Sequence, residues 1–319
     1  MDLMRRILVS ASENRWLRER APRYRFIRSA ASRFLPGENV EDALAAARRL
    51  ADHGIGTLLT QLGENVTVRA EAEAVVAQYL NLIERIRVAS LPTEISVKLT
   101  QLGVDLDREF CFSNLGKLIG NLPLAVDHTP GESIEKTLWI DMEQSKYVDV
   151  TLELYGRMRK TNQNAGVCVQ AYLRRTKKDV ESLISMGASV RLVKGAYSES
   201  PEIAIPKKKD VDENYFRLAQ MLLAPEARHE GVRAVMATHD PQLIGRIIEW
   251  AASQGIARDQ LEFAMLYGIQ RSEQLRLARE GYRTGVLVSY GTFWFPWFMR
   301  RLAERPANVL FLVRNLFSR

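Results

Sequence analysis

An alternation of apolar, strand-like runs with amphipathic helical stretches dominates this chain from about residue 40 onward, and it contains eight strand-like runs. Most of these runs are continuous apolar or β-branched segments, which is typical of strands buried on both faces of a parallel sheet. The predicted strands span residues 55–62, 94–99, 137–142, 166–170, 189–196, 233–239, 261–266 and 285–290, and the predicted helices include 68–88, 145–162, 178–186, 211–223, 241–253 and 272–280.

Eight strands that alternate with helices predict an α/β fold, a (βα)8 TIM-like barrel with extra helices at its N-terminus. An open doubly wound sheet is the competing fold. It is disfavoured because no GxGxxG fingerprint follows an early strand. We therefore predict an N-terminal helical segment over residues 1–40 and a barrel catalytic domain over residues 41–319.

The formal net charge of the 319-residue chain is +7, and many of its early residues are arginines. Such a segment could meet anionic lipid or nucleic acid, but Glu13 and Glu19 interrupt it and favour a solvated helical face. No run is long and apolar enough to span a membrane, and the pattern of a secretory signal is missing. We therefore expect a protein that does not bind nucleic acid and lies in the cytoplasm, either free or peripherally on the inner face of the plasma membrane.

The sequence contains no pattern typical of a metal site or of a set of disulfide bonds. Cys111 and Cys168 form neither a metal-binding spacing nor a disulfide framework, which fits a reducing compartment. No His/Asp/Glu grouping has zinc spacing, so we predict no metal site.

Polar side chains stand at the carboxyl ends of five predicted strands, where barrel enzymes place their chemistry. Burying so many polar groups requires mutual partners or a polar ligand. The cations outnumber the anions, which indicates an anionic substrate and a cofactor with phosphates. The strand-end residues are Lys98, Asp141, Gln170, Arg191, Lys194, Thr238 and His239.

An aromatic loop near the C-terminus runs into Arg300 and Arg301. The planar fork of arginine suits a carboxylate, and aromatic walls would exclude water from that pairing. The stretch is either such a pocket or an aromatic core followed by a basic helix, and the polar strand ends favour the pocket. A Schiff-base lyase remains a separate alternative, because Lys98 and Lys194 stand where barrel aldolases keep their lysines.

Together these residues resemble the proline dehydrogenase family in its compact monofunctional bacterial form, over about residues 37–316. The motifs that carry the resemblance are Ile95-Ser96-Val97-Lys98-Leu99, Ile140-Asp141-Met142-Glu143, Arg191-Leu192-Val193-Lys194-Gly195-Ala196-Tyr197, Ala237-Thr238-His239-Asp240, Phe263-Ala264-Met265-Leu266-Tyr267-Gly268 and Arg300-Arg301-Leu302-Ala303-Glu304. The resemblance implies FAD-dependent oxidation of L-proline to Δ1-pyrroline-5-carboxylate by hydride transfer to the flavin N5, the first step of proline catabolism. It also implies membrane quinone as the electron acceptor.

The resemblance also assigns roles to individual residues. Lys98, Arg300 and Arg301 are expected to bind the substrate carboxylate, and Asp141 is expected to lie among these cations and orient an arginine. The residues expected to line the substrate ring are Tyr197, Leu266 and Trp297. The residues expected to contact FAD are Gln170, Arg191, Lys194, Gly195, Ala196, Thr238, His239 and Glu304.

Two positions depart from the family pattern, in which a Tyr-x-Pro-Tyr-Gly segment ends the last strand. Here Leu287 stands in place of the tyrosine near the substrate ring, and Ser289 replaces the proline. Losing the phenol enlarges that side of the pocket and makes it more apolar. Leu287 is therefore expected to help decide the substrate, and hydroxyproline or another cyclic amino acid is the alternative to proline.

Overall fold

The computed structural model describes residues 24–122 and 136–304, together with Asn14, Trp16, Arg20 and Ala21. Two helices precede the barrel, α1 (Arg25–Ala31) and α2 (Val40–Ala51). Helix α2 begins with a capping box, in which Asn39 and Asp42 satisfy each other's backbone N–H groups. Whether the division at residue 40 separates two structural units stays a prediction.

Eight parallel strands close into a barrel in the order in which they occur along the chain, and β8 pairs with β1. This arrangement confirms the predicted fold class. The strands are β1 (Gly56–Gln61), β2 (Thr93–Val97), β3 (Leu138–Ile140), β4 (Ala165–Gln170), β5 (Ser189–Val193), β6 (Arg233–Ala237), β7 (Glu262–Leu266) and β8 (Arg283–Tyr290).

Helices on the outside of the barrel cover the strands, and their apolar faces share one large core with the outward side chains of the sheet. Within the described ranges, no helix is both long and apolar enough to cross a membrane. The helices that follow β1 are α3 (Arg69–Val88), α4 (Arg108–Ile119), α5 (Val148–Arg159), α6 (Thr176–Ile184), α7 (Lys208–Leu223), α8 (Pro225–His229), α9 (Pro241–Ser253), α10 (Arg271–Arg279) and α11 (Trp294–Glu304).

All eight predicted strands are present, but four of them end two or three residues earlier than expected. The chain leaves the sheet after Val97, Ile140, Val193 and Ala237. Lys98, Asp141, Lys194 and His239 therefore lie in the loops just beyond the strands. This placement follows the usual division of labour in barrels, in which loops at the carboxyl ends carry the chemistry.

The inside of the barrel is closed at its amino-terminal end by side chains. Trp139 lies in the middle against Leu58 and Val235, and Gly166 gives its ring room, because a Cβ there would lie 2.7 Å from the indole. Below it, Arg233 of β6 bridges two carboxylates, Glu94 of β2 and Glu262 of the adjacent β7. In the part of the chain that the structure describes, these side chains fill the amino-terminal end of the barrel interior.

Candidate active site

A cavity of about 590 Å³ opens at the carboxyl end of the barrel. Most of the site residues predicted from the sequence line it, although they come from seven different strands or the loops behind them, and from α11. The predicted residues on the cavity wall are Lys98, Asp141, Gln170, Arg191, Lys194, Gly195, Ala196, Tyr197, Thr238, His239, Leu266, Leu287, Trp297 and Arg301.

Two predicted site residues cannot be placed by their side chains. Arg300 and Glu304 belong to helix α11, whose backbone is described, but their side chains lie outside the described part of the structure. Arg301, next to Arg300, reaches the cavity wall, and its guanidinium carbon lies 5.6 Å from the centroid of the Trp297 ring. Helix α11 therefore brings at least one arginine and an aromatic wall to the same cavity.

Asp141 is the centre of a charged wall. Its Oδ1 accepts a hydrogen bond from Ser96 Oγ at 2.7 Å and another from Arg191 Nη2, and its Oδ2 lies 3.4 Å from Lys98 Nζ. Burial alone would raise the pKa of Asp141, but Lys98, Arg191 and Ser96 together hold that pKa below its usual range. Asp141 is therefore an anion that orients two cations, Lys98 and Arg191.

Two polar atoms on the same side of the cavity are buried without a partner among the described residues. They are Arg191 Nη1, a donor, and Gln170 Oε1, an acceptor. The Gln170 amide nitrogen donates to the backbone carbonyls of Met142 and Glu143 at 3.1 and 3.2 Å, which fixes the orientation of the amide. A buried donor and a buried acceptor left open in this way call for a ligand with complementary groups.

His239 is held in one tautomer by its neighbouring strand. Its Nε2 accepts the backbone N–H of Leu266 at 2.8 Å, so Nε2 carries the lone pair and Nδ1 carries the proton. This bond ties the ends of β6 and β7 together. His239 consequently lines the cavity as a neutral ring, and its Nε2 is not free to act as a base or a metal ligand.

Lys194 lies on the cavity wall within an ion-pair cluster. Its ammonium contacts Asp212 Oδ1 at 2.5 Å and Asp240 Oδ2 at 2.9 Å, and Lys208 contacts the same two carboxylates. Sequence reasoning missed Asp212 and Lys208 because an i,i+4 pair on a helix looks like an ordinary surface pair. Lys194 and Lys98 both contact carboxylates, so the geometry does not favour a Schiff-base lyase.

Apolar side chains form the wall made by β1, β7 and β8. Leu58 of β1 and Leu287 of β8 are partners in the strand register, and Leu266 and Trp297 extend the same wall. One rung above, Thr60 faces Ser289 in register, and both hydroxyl-bearing residues are buried on the cavity wall. The cavity therefore combines a charged side with an apolar side of a size that suits a small ring.

Several cavity residues were not found from the sequence. Leu58, Thr60 and Cys168 lie inside strands rather than at their ends. The signal that could have found Cys168 is the two-residue strand period, since Cys168 precedes Gln170 by two positions and shares its face. Among the described residues, no group of three or more His, Cys, Asp or Glu side chains could hold a metal ion.

Comparison with known proteins decides the family. A sequence model of proline dehydrogenase matches residues 43–314. The chain belongs to the proline dehydrogenase family. Proline dehydrogenase 1 of Bacillus subtilis is 33% identical over 317 residues, which cover 99% of this chain and 100% of that protein. The proline dehydrogenase of Deinococcus radiodurans is 34% identical over 293 residues, 90% of each chain. The resemblance predicted from the motifs is thereby confirmed.

Solved structures related to this family share the fold. Proline utilization A (PutA) from Bdellovibrio bacteriovorus, inactivated by N-propargylglycine, superposes with a TM-score of 0.77 at 24% identity over 92% of this chain. PutA from Corynebacterium freiburgense superposes with a TM-score of 0.71 at 20% identity. This chain spans about a third of either PutA chain, 34% in both cases. Proline dehydrogenases use a flavin cofactor.

Proposed function

We propose that this protein binds FAD in the cavity and oxidises L-proline to Δ1-pyrroline-5-carboxylate, the first step of proline catabolism. One observation carries the proposal. In a chain of this family, a single cavity combines a cation-rich wall centred on Asp141 with an apolar wall that includes Leu266, Leu287 and Trp297. A small cyclic amino acid has the matching two sides, a carboxylate and an apolar ring.

The residues present fit a flavin. Its ring system carries both N–H and carbonyl groups, which complement the open acceptor of Gln170 and the open donor of Arg191. The backbone at Gly195 has φ at +111°, a conformation that favours glycine, and a Cβ there would lie 2.1 Å from the Tyr172 ring. We infer that Gln170, Arg191, Lys194, Gly195, Ala196, Thr238 and His239 hold the cofactor, and that Glu304 does so from helix α11.

The chemistry of the reaction requires such a group. A bound flavin supplies the hydride acceptor that amino-acid side chains cannot provide. The Arg191 guanidinium, fixed by Asp141 and Ser96, contributes a permanent positive charge to the cofactor side of the cavity. Because this cation is oriented before any ligand arrives, its stabilising effect requires no reorganisation during the reaction.

The substrate carboxylate is proposed to lie between Lys98 and the two arginines of helix α11, Arg300 and Arg301. Arginine forks bind a carboxylate through parallel hydrogen bonds, and Lys98 adds a point charge from the loop after β2. Leu266, Leu287, Tyr197 and Trp297 are proposed to surround the ring and exclude water. Asp141 is a poor base because its charge is already satisfied, so the substrate reacts as the free amine after losing its proton to solvent.

The cofactor assignment is tested on the purified protein. We expect a yellow protein whose flavin, released by denaturation and separated chromatographically, is FAD rather than FMN. The Arg191→Met variant removes the open donor and is expected to retain less FAD, measured as the flavin-to-protein ratio. A colourless protein that takes up no flavin on incubation with FAD would contradict the proposal.

A second candidate substrate follows from Leu287, which lines the cavity beside Leu58. A leucine at this position leaves the wall apolar and without a phenol, so a hydroxylated ring such as 4-hydroxyproline or a larger ring such as pipecolate becomes an alternative to proline. Comparing kcat/KM on the three amino acids decides between them. The highest value identifies the substrate for which the cavity is shaped.

We expect Leu287→Tyr to narrow the substrate range. The larger side chain fills space beside the ring, so kcat/KM for pipecolate relative to proline is expected to fall about tenfold or more. Leu287→Met, which keeps the volume, is the matched control and is expected to change that ratio by less than about threefold. An unchanged ratio in the tyrosine variant would show that Leu287 does not face the substrate ring.

Membrane quinone is proposed as the electron acceptor, with the protein in the cytoplasm or peripherally on the inner face of the plasma membrane. The basic N-terminal segment supports this location through attraction to anionic lipid. Most of that segment, and the apolar stretch 309–313 near the C-terminus, lie outside the described residues. Anaerobic reoxidation of the proline-reduced protein by a short-chain quinone measures acceptor use directly.

A further inference from the structure

Glu143 is a buried carboxylate next to the cavity that has no part in the chemistry described above. Only 4% of the residue is exposed. Its Oε2 accepts the Thr100 hydroxyl at 2.6 Å, and its Oε1 accepts the Thr100 backbone N–H at 3.1 Å. One carboxyl group therefore makes two hydrogen bonds to a single residue 43 positions away in the sequence.

These two bonds join the loops that carry the charged wall. Thr100 lies two residues after Lys98, in a turn where the Lys98 carbonyl accepts the N–H groups of Gln101 and Leu102. Glu143 lies two residues after Asp141, and its own carbonyl is held by the Gln170 amide at 3.2 Å. The turn that bears Lys98 is thus fixed through Glu143 to β3 and, beyond it, to β4.

The position of the Lys98 ammonium depends on this turn. A lysine side chain has four flexible carbons, so the position of its charge is fixed by its backbone and by the partners of its ammonium group. Asp141 provides one partner, but at 3.4 Å this contact is longer than that of Arg191 with the same carboxylate. We propose that Glu143 is a positioning residue for Lys98, and that by holding the Thr100 turn it sets the affinity of the cavity for a cyclic carboxylate.

The charge of Glu143 adds an electrostatic effect. Burial raises the pKa of Glu143 to about 7, against the hydrogen bonds from Thr100 and the attraction of Lys98. The ionisable groups that face it are Lys98, Glu64 from the β1–α3 loop, Cys111 from α4 and Lys146 from the turn before α5. When ionised, Glu143 partly neutralises the positive charge of Lys98 that attracts a bound carboxylate. The affinity for a carboxylate ligand is therefore expected to weaken as the pH rises through 7.

The inference rests on the proposed function for the location of the substrate, but its test does not need turnover. Cyclopentanecarboxylate has the carboxylate and the ring without the amine, and it stays ionised across the pH range used. Its Kd is measured by isothermal titration calorimetry at pH 6 and pH 8 on the flavin-loaded wild type, Glu143→Gln and Glu143→Ala. Glutamine is the matched control, because it can accept the Thr100 N–H and donate to the Thr100 hydroxyl oxygen without a charge.

We expect Glu143→Ala to raise the Kd about tenfold at pH 6, whereas Glu143→Gln stays within about twofold of wild type. Between pH 6 and pH 8 the wild-type Kd is expected to rise about threefold, and that of Glu143→Gln to stay constant. An alanine variant that binds as tightly as wild type, or a glutamine variant as weak as alanine or with the full wild-type pH dependence, overturns the inference.

Two further measurements keep the result interpretable. Thr100→Val removes the hydroxyl donor and keeps the shape, and it is expected to weaken binding about threefold even where Glu143→Ala fails to fold. Wild-type protein that holds flavin but is not reduced by any cyclic amino acid refutes the proposed function instead. Tight, Glu143-dependent binding of cyclopentanecarboxylate by that same protein would still support the positioning role.

Discussion

Replacing Lys98 by methionine is expected to lower kcat/KM for L-proline by about 100-fold or more, because the ammonium that we propose faces the substrate carboxylate is lost from a shielded site. The Lys98 side chain is only 12% exposed, so solvent can replace little of its charge. Its removal also leaves the negative charge of Asp141 less compensated, and that charge is expected to repel the substrate carboxylate. Steady-state kinetics with a dye acceptor measure the effect, and most of it is expected in KM.

Lys178→Met is the matched control for this experiment, because Lys178 is exposed on helix α6 away from the cavity. It is expected to keep wild-type kinetics. Flavin content is measured in parallel, since Lys98 is assigned to the substrate and its loss should leave the FAD-to-protein ratio unchanged. A Lys98→Met protein with wild-type kcat/KM would remove Lys98 from the carboxylate site.

Replacing Arg233 by methionine is expected to lower the free energy of unfolding by about 3–5 kcal/mol, because two largely buried carboxylates lose their common cation. Arg233 contacts Glu94 at 2.5 Å and Glu262 at 2.6 Å at the closed end of the barrel. Both carboxylates have side chains that are 13% exposed, so water cannot take over the role of the guanidinium. Equilibrium unfolding in urea at neutral pH measures the loss.

The same cluster gives the protein a predictable acid sensitivity. Burial alone would raise the pKa of Glu94, but Arg233, the Trp139 indole and the Thr137 N–H hold it below its usual range. A carboxyl whose pKa is lower in the folded state stabilises the fold above its unfolded pKa of about 4.3, and that stability is lost as the pH falls through the folded value. Wild type is therefore expected to lose stability in acid, and Arg233→Met to lose less.

Arg108 provides the control, because its ion pair with Glu153 is exposed, with 63% and 45% of the two side chains accessible. Arg108→Met is expected to cost less than about 1 kcal/mol. Equal losses for Arg108→Met and Arg233→Met would show that burial does not distinguish the two ion pairs, and that the closed end of the barrel is not held by Arg233.

The fold could be predicted from the sequence because the patterns that indicate its strands and helices are local and recur along the chain. Each buried parallel strand is a short apolar run, and a helical stretch follows it. Helix α4 (Arg108–Ile119) was missed, since its Phe, Cys, Ser, Asn and Gly residues are weak helix formers. Its start was nevertheless signalled by Asp107, which caps the Phe110 N–H at 2.6 Å.

The residues of the candidate site could also be predicted from the sequence, but the contacts between them could not. Polar residues at strand ends predicted Lys98, Asp141 and Arg191, since the barrel brings all strand ends to one rim. That Arg191 and Lys98 share Asp141 depends on side-chain reach across three strands, which no spacing encodes. The pair of hydrogen bonds between Glu143 and Thr100 could not be predicted either, because it joins residues 43 positions apart that only the folded structure brings together.

Anaerobic titration of the purified protein with L-proline tests the central claim most directly. If the cavity holds FAD and a cyclic imino acid together, the visible flavin absorbance falls on addition of L-proline and saturates, with Δ1-pyrroline-5-carboxylate formed in equal amount to the flavin reduced. The Lys98→Met variant is expected to need a far higher proline concentration for the same loss. A flavin-loaded wild type whose spectrum stays unchanged with proline, 4-hydroxyproline and pipecolate would contradict the account.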